Sequence, residues 1–319
     1  MKNKNILITG GAGFIGSALT KELIKNNTVI VIDNFDNYYD PAIKEENVKP
    51  FINEDNYRLY IVDIRDKNAL EKVFSKNRID IIIHLAAMAG VRYSLVNPNL
   101  YKEVNEIGTD NVLSIAHKYH VDNIILASSS SVYGNNNLPF NEESTELKPI
   151  SPYAVTKMNM DAIAKKYHDT YNMNISILRF FNVYGPHQRP DTAISIFTDS
   201  ILNDKEINLY GDGTTLRDYT YIDDAIEGIV RSGDYLFNHK NTYEVFNIGS
   251  NNPISINELL STISDELKLN PNIRNLPFQE GDAYKTNADI NKAYKILGYK
   301  PSMYINTGIK KYIKWKKEE

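Results

Sequence analysis

A chain of 319 residues, 42% hydrophobic and 24% charged, can bury a large core without help from a partner. Its formal net charge of −4 gives no electrostatic ground for binding nucleic acid, and no apolar run approaches the roughly 18 to 20 residues of a membrane span. With no cysteine, it has neither disulfides, nor thiolate metal sites, nor a cysteine nucleophile.

The opening "MKNKNILITGG" contains a short apolar run that ends in glycines, so it reads as a first strand over 5–9 and not as a secretory signal. A cytoplasmic location is expected. Helical periodicity follows over 14–25, and a second apolar run covers 28–33. Further Ile- and Val-rich runs fall at 57–63, 80–86, 123–128 and 174–180, and helical patterns over 67–76, 100–119 and 153–171 lie between them. Strands that are apolar on both faces and separated by helices imply a parallel sheet covered on two sides. The expected fold is α/β, a doubly wound parallel sheet over residues 1–181. From Asn182 onward Pro, Gly and Asp become frequent and elements shorten, so 182–319 reads as a smaller C-terminal α/β lobe that binds substrate over the sheet's carboxyl edge. The run "YEVFNIG" at 243–249 reads as a late strand returning to the first domain, which makes the boundary interleaved.

Within this frame, "ILITGGAGFIGSAL" sets Gly10, Gly13 and Gly16 directly after the first strand and at the opening of a helix that begins Phe14, Ile15. Such glycines allow a tight turn, close backbone approach to a pyrophosphate and close packing of helix on strand, the Rossmann arrangement for a dinucleotide. Asp33 ends the second strand, where its carboxylate accepts hydrogen bonds from adenosine ribose hydroxyls and repels a 2′-phosphate, favouring NAD over NADP; Asn34 follows it. Asp63 and Ile64 close the third run at the adenine edge, and Leu85, Ala86 and Ala87 supply small residues beside the cofactor. A loop aspartate with a local role is the alternative for Asp33.

"SPYAVTK" places Tyr153 and Lys157 at i and i+4, on one helical face. A free tyrosine, with a pKa near ~10, is a poor base at neutral pH, but a neighbouring ammonium and a cationic nicotinamide both favour phenolate. Such a group can take a proton from a sugar hydroxyl.

Glycine turn, serine-ended strand and YxxxK together resemble the extended short-chain dehydrogenase/reductase family. The resemblance implies that Ser129, three positions before "VYG", bonds the reacting oxygen beside Tyr153, that Lys157 holds the phenolate and the nicotinamide ribose, and that Asn105 in "VNEIGT" lies below the cofactor. Phe181 is placed among the cofactor contacts. Nucleotide-sugar 4,6-dehydratases of the family carry Asp and Glu where Ser130 and Ser131 stand here, and its decarboxylases tend to place Glu at the latter position. Hydroxyls alone do not support elimination, whereas oxidation at C4, rotation of the keto intermediate and reduction from the other face need no further acid or base. Two neutral donors also suit a carboxylate on the sugar; filling space and capping the next turn is their alternative role.

Long stretches, among them "DNFDNYYDPAIK", "AGVRYSLVNP", "GPHQRPDTAI" and "GDGTTLRDYTYIDD", are similar to the UDP-glucuronate 4-epimerases within the family. Arg92 and Arg189 fall in these stretches and either clamp a carboxylate or form ion pairs at the surface or between domains. The resemblance also assigns Arg217 to the diphosphate, Asn208 and Asp282 to the uridine, and Asn182 to the nucleotide sugar. Asn182, where many glucuronate epimerases have Thr, points toward a neutral sugar; Gln279, where galactose-pathway enzymes commonly have Arg, points the other way.

The expectation is an enzyme with tightly bound NAD that epimerises UDP-glucuronate and UDP-galacturonate at C4, acts as a homodimer through the helices at 100–119 and 153–171, and contacts neither nucleic acid nor membrane. Its alternatives are UDP-glucose 4-epimerase, net oxidation to a released keto sugar, and a non-catalytic NAD-binding scaffold. His117 and His120 lie i, i+3 on a helix but lack carboxylates to complete a metal site, so no metal is expected. Asp223 and Asp224 are expected to cap a helix.

Overall fold

The computed structural model describes residues 1–143, 145–278 and 283–318. Strands and helices alternate from the start: β1 (Asn5–Thr9), α1 (Phe14–Leu23), β2 (Thr28–Asp33), α2 (Pro41–Val48), β3 (Tyr57–Ile61), α3 (Lys67–Lys76) and β4 (Ile81–His84). Next come two short helices, α4 (Val91–Val96) and α5 (Pro98–Tyr101), then a π-helical stretch at Lys102–Ile107. It runs into α6 (Gly108–Lys118), followed by β5 (Asn123–Ser129), α7 (Pro152–Tyr171) and β6 (Asn174–Phe180). The later elements are β7 (Val183–Tyr184), α8 (Ala193–Leu202), β8 (Glu206–Tyr210), β9 (Leu216–Arg217), β10 (Thr220–Tyr221), α9 (Ile222–Asn238) and β11 (Tyr243–Ile248). Then follow β12 (Ile254–Ser255), α10 (Ile256–Leu267), β13 (Asn272–Leu276), α11 (Asn291–Leu297) and α12 (Ile305–Glu318).

Alternation along the strands divides the core in two. Ile6 and Ile8 of β1, Val29 and Val31 of β2, and Ile81 and Ile83 of β4 pack on one face with Leu19 and Leu23 of α1 and Ile226 and Ile229 of α9. The intervening Leu7, Ile30, Ile32 and Ile82 pack on the other with α3, α6 and α7 through Leu70, Val112 and Met160. Because both faces are covered, most strand positions are apolar, which is why these runs show little polar alternation.

The seven strands form one parallel sheet in the order β11-β6-β5-β4-β1-β2-β3, the expected doubly wound arrangement. After β3 the chain crosses back over β1 to form β4, so the direction of winding reverses between β1 and β4. Crevices open beyond the carboxyl ends of strands at such a reversal. The late strand β11 does return, pairing with β6 from Tyr243↔Ile175 to Ile248↔Phe180. Three two-stranded pieces, β7 with β10, β8 with β13 and β9 with β12, are built from the segments after Asn182.

Three local expectations change. The continuous helix over 100–119 is broken by the π-helical turn around Asn105, whose carboxamide bonds both the N–H and the C=O of Met88; a widened turn of this kind re-aims a side chain at small cost. The third strand stops at Ile61, because Asp63 turns its carboxylate back onto the N–H of Arg65. Asp224 does not cap α9: its carboxylate accepts from the backbone N–H of Ser302 and Met303, fastening the segment before α12 to the first turn of α9.

Candidate active site

A cavity of about 1190 Å³ lies beyond the carboxyl ends of the central strands. It exceeds the roughly 300–1,000 Å³ of a pocket for one small molecule, leaving room for two ligands side by side.

One end is built by the turn between β1 and α1, where Gly10, Gly13, Phe14, Ile15 and Gly16 all line the cavity. Gly10 has φ +70°, and a Cβ there would stand 2.7 Å from Ala86 N; a Cβ on Gly16 would stand 2.3 Å from Gly10 O. Neither position admits a side chain. Gly13 is different, since its Cβ would meet only Gly10 O, at 3.3 Å, and α1 starts with no side-chain cap. Its free N–H groups and positive dipole end suit a pyrophosphate.

Asp33 follows directly across β2. Its carboxylate accepts from Ala12 N at 3.1 Å and Phe35 N at 2.9 Å, with Lys44 Nζ 3.6 Å away. Asn34 donates to Asp63 at 3.0 Å, and both line this end beside Ile64. Burial works against the charge on Asp63, but hydrogen bonds from Arg65 and Asn34 hold its carboxyl below the usual range. Leu85, Ala86 and Ala87 form the wall after β4. These groups fit a dinucleotide with its ribose at Asp33.

The centre is organised by α7. Ser151 caps it by accepting from Ala154 N at 3.2 Å, and Pro152 occupies the first turn, so the helix begins just before Tyr153. Tyr153 and Lys157 both line the cavity, one turn apart. Ser129 accepts from the N–H of Ser131 at 3.2 Å and from its hydroxyl at 3.0 Å, so its own proton is left for Tyr153, to which it is hydrogen-bonded. Burial pushes the Tyr153 phenol up, and the Ser129 bond and the Arg189 guanidinium oppose that. Lys157, 3% exposed, donates from Nζ to Ala127 O at 2.8 Å. Burial pulls its ammonium down to about 8, against the attraction of Asp161. Arg189 thus draws on the phenol as well, a cation the sequence placed only at a substrate carboxylate or in an ion pair.

All four serines, Ser128 to Ser131, line the cavity, and Ser128 also faces Asp161 of α7. Ser131 spends its proton on Ser129, so it can meet a substrate as a donor only after its hydroxyl rotates.

Arg92, Asn182, Arg189, Asn208 and Arg217 line the far end. Arg92 lies 4.7 Å over the Tyr210 ring. Arg189 makes two bonds of 2.9 Å to Asp191, which also accepts from the Tyr38 hydroxyl at 2.8 Å. The ion pair that was the alternative for Arg189 thus exists, and it forms part of the cavity wall. Arg217 Nη1 donates to the carbonyls of Leu216 and Tyr284 at 3.0 and 3.3 Å.

Two predicted contacts do not reach the cavity. Asn105 is fully buried and bonds Met88 and Thr156, so it acts on the site by fixing the segment after β4 against α7. Phe181 packs with Tyr133, Phe140 and Ala288; Phe180, one residue earlier and on the opposite side of the chain, lines the cavity instead. Asp282 and Gln279 lie outside the described residues. Sequence reasoning passed over Lys44 beside Asp33 and the Tyr38–Asp191 contact, which joins segments 153 residues apart and leaves no local pattern.

A buried relay backs the site. Ala86 N–H donates to Thr9 Oγ1, which donates to His84 Nδ1; His84 Nε2–H donates to Thr109, which donates to Asn105 O. Burial drives the His84 pKa down to about 3, so the ring is neutral and this order of protons satisfies every group. His117 stacks on Tyr171 with centroids 3.9 Å apart. Among the described residues there is no group of three or more His, Asp or Glu able to hold a metal ion.

A family model described as the NAD dependent epimerase/dehydratase family matches residues 6–249. The chain is 43% identical to an uncharacterized protein of Methanocaldococcus jannaschii, over 99% of this chain and 97% of that one. It is 38% identical to a UDP-glucuronate 4-epimerase of Thermodesulfobacterium geofontis, over 98% of this chain and 96% of that one. Among solved structures, the UDP-glucuronic acid 4-epimerase of Bacillus cereus, in complex with UDP-glucuronic acid and NAD, superposes with a TM-score of 0.93 at 34% identity, covering 98% of this chain and 99% of that one.

Proposed function

Because the chain belongs to the NAD dependent epimerase/dehydratase family, we propose that it interconverts UDP-glucuronate and UDP-galacturonate by NAD-dependent epimerisation at C4. The observation that carries this is the conjunction, in one cavity, of the Ser129–Tyr153–Lys157 set with Arg189, and of hydroxyls with no carboxylate at 130 and 131.

Bound NAD supplies a reversible acceptor for the C4 hydride, so oxidation and reduction cancel over one cycle. Tyr153 as phenolate takes the proton of the 4-hydroxyl, and returns it to the same oxygen when C4 is reduced from the other face. Ser129, with its acceptor capacity filled by Ser131, turns its proton from Tyr153 to that oxygen once the sugar is bound and shares the charge. Lys157 keeps a positive charge beneath the pair. Between the two transfers the 4-keto sugar must turn over, which only the 1190 Å³ cavity around it has to permit. Arg189 and Arg92 supply the positive charge that an anionic C6 group needs; Asp191 offsets Arg189 until a substrate carboxylate competes for it. Asp33 and the glycine turn hold NAD, and Arg217 and Asn208 face the nucleotide end of the sugar.

The division into a cofactor-binding part at 1–181, with β11 returning to it, and a substrate lobe at 182–319 accompanies this reading. So does a homodimer through the α6/α7 side, supported by the exposure of Ile107 and Val155 beside these helices and of Tyr171 at the end of α7, and checked by light scattering. Among the described residues no helix is long and apolar enough to cross a membrane; a cytoplasmic enzyme is proposed.

The test compares UDP-glucuronate with UDP-glucose. Wild type is expected to prefer the uronate, and Arg189→Met to lower its turnover more than about tenfold relative to UDP-glucose. A wild type that turns over UDP-glucose faster would overturn the substrate assignment.

A further inference from the structure

Behind Lys157 lies a buried charged cluster that the reaction described above does not use. Asp161, one turn further along α7 and 5% exposed, accepts from Arg179 Nε and Nη2 of β6 at 3.2 and 3.0 Å through one oxygen, Oδ2. Its other oxygen, Oδ1, and the hydroxyl of nearby Ser128 have no hydrogen-bond partner among the described residues. Arg179, itself 5% exposed, donates from Nη1 to the Tyr133 hydroxyl at 3.0 Å. Tyr133 donates to Asn247 Oδ1 at 2.8 Å, and Asn247 Nδ2 is anchored on the carbonyls of Phe140 and Asp289. The chain of bonds fixes α7 to β6, to the turn after β5 and to β11.

Two cations, Lys157 and Arg179, thus share one anion where water does not reach. Buried charge of this kind is costly and stabilises poorly compared with apolar packing, so its presence calls for a role other than stability. We propose that Asp161, held in place by Arg179, is a positioning residue that keeps Lys157 an ammonium directed at Ala127 and the cavity. Without the carboxylate, Lys157 would sit buried with no anion beside it and lose its proton; with it, the charge persists through the working range. The groups facing this pair from the surrounding elements do not supply a second anion. Tyr153 shares α7; His84 of β4 is neutral; Tyr133 and Tyr243, from the turn after β5 and from β11, are held as phenols by burial; Arg189 faces Tyr153 from the other side of the cavity.

The proposal rests on Lys157 belonging to the catalytic set, but its test does not require turnover. In NAD-loaded protein labelled with ¹³Cε-lysine, the Lys157 signal is assigned by its loss in Lys157→Met and titrated in wild type, Asp161→Glu, Asp161→Asn and the double variant Asp161→Asn/Arg179→Met. The double variant removes both members of the pair, so no buried charge is left unpaired should the single variant fail to fold. The Lys157 midpoint is expected to fall by about one pH unit or more in the double variant and to stay near wild type in Asp161→Glu. The alkaline limb of kcat is expected to move to lower pH in step. A folded, NAD-bound double variant whose Lys157 midpoint is unchanged overturns the proposal. A shifted midpoint in a protein that turns over no nucleotide sugar would leave the proposal standing and remove the epimerase reading.

Discussion

Replacing Lys157 by methionine should make the protein more stable while it abolishes activity. Lys157 is 3% exposed, and burial lowers its ammonium from the ordinary 10.5 to about 8. At neutral pH the folded state therefore holds a proton less favourably than the unfolded chain, a penalty of about 3 kcal/mol. Methionine fills nearly the same volume without charge, so it removes that penalty. Against this stands the lost bond to Ala127 O, a charged donor worth about 1.5–3 kcal/mol. The balance is a gain of about 0–1.5 kcal/mol at pH 7. The sign with pH is fixed by linkage: the wild-type penalty is complete below about 8, where both states are protonated, and fades as the pH rises toward 10.5, where neither holds the proton. The assay is urea unfolding of both proteins, stripped of nucleotide, at pH 7 and at pH 10. Lys157→Met is expected to be equal or more stable at pH 7 and to lose that advantage at pH 10. A variant destabilised by 2 kcal/mol or more at pH 7, as for an ordinary core cavity, would refute the reasoning.

Tyr153→Phe and Ser129→Ala should each lower kcat, the first by about 10²–10⁴-fold and the second by less, with NAD content per chain unchanged when measured by absorbance after denaturation. Gly16→Ala drives a Cβ to within 2.3 Å of Gly10 O, so the turn must shift; a loss of about 1–3 kcal/mol and a lower NAD content are expected, read by thermal melting and nucleotide release. Asp33→Ala should weaken NAD more than NADP and so reduce the preference between them by about tenfold or more, measured as rebinding of each nucleotide to stripped protein.

Much of the fold and of the site is legible in the sequence. The bounds of β1 and β2 followed from their apolar runs, since a strand buried on both faces has few polar positions to blur its ends; β6 was legible by its Ile and Leu although Ser176 and Arg179 interrupt it. The glycine turn was readable because Gly10 and Gly16 sit where a Cβ meets backbone, a constraint that sequence records directly. The pair Tyr153 and Lys157 was visible through helical spacing. Asp161, four residues beyond Lys157, went unread, because its meaning depends on Arg179 arriving from β6. What failed turned on parity or on distance. A shift of one residue at the end of β6 separates Phe180 in the cavity wall from Phe181 in the core. Asn105 matched a motif position, yet the π-helical turn aims its amide at Met88, and no periodicity announces such a turn. Tyr38 and Asp191 meet only because two loops far apart in the chain converge on one cavity.

The central claim is that C4 of a UDP-hexuronic acid is inverted by hydride that leaves and returns within one bound complex. Proton NMR of UDP-glucuronate incubated in D₂O with the purified, NAD-loaded protein tests it directly. UDP-galacturonate should appear, the same mixture should be reached from either sugar, and C4 should carry no solvent deuterium. Deuterium at C4, a lasting 4-keto sugar, or untouched UDP-glucuronate beside epimerised UDP-glucose would contradict it.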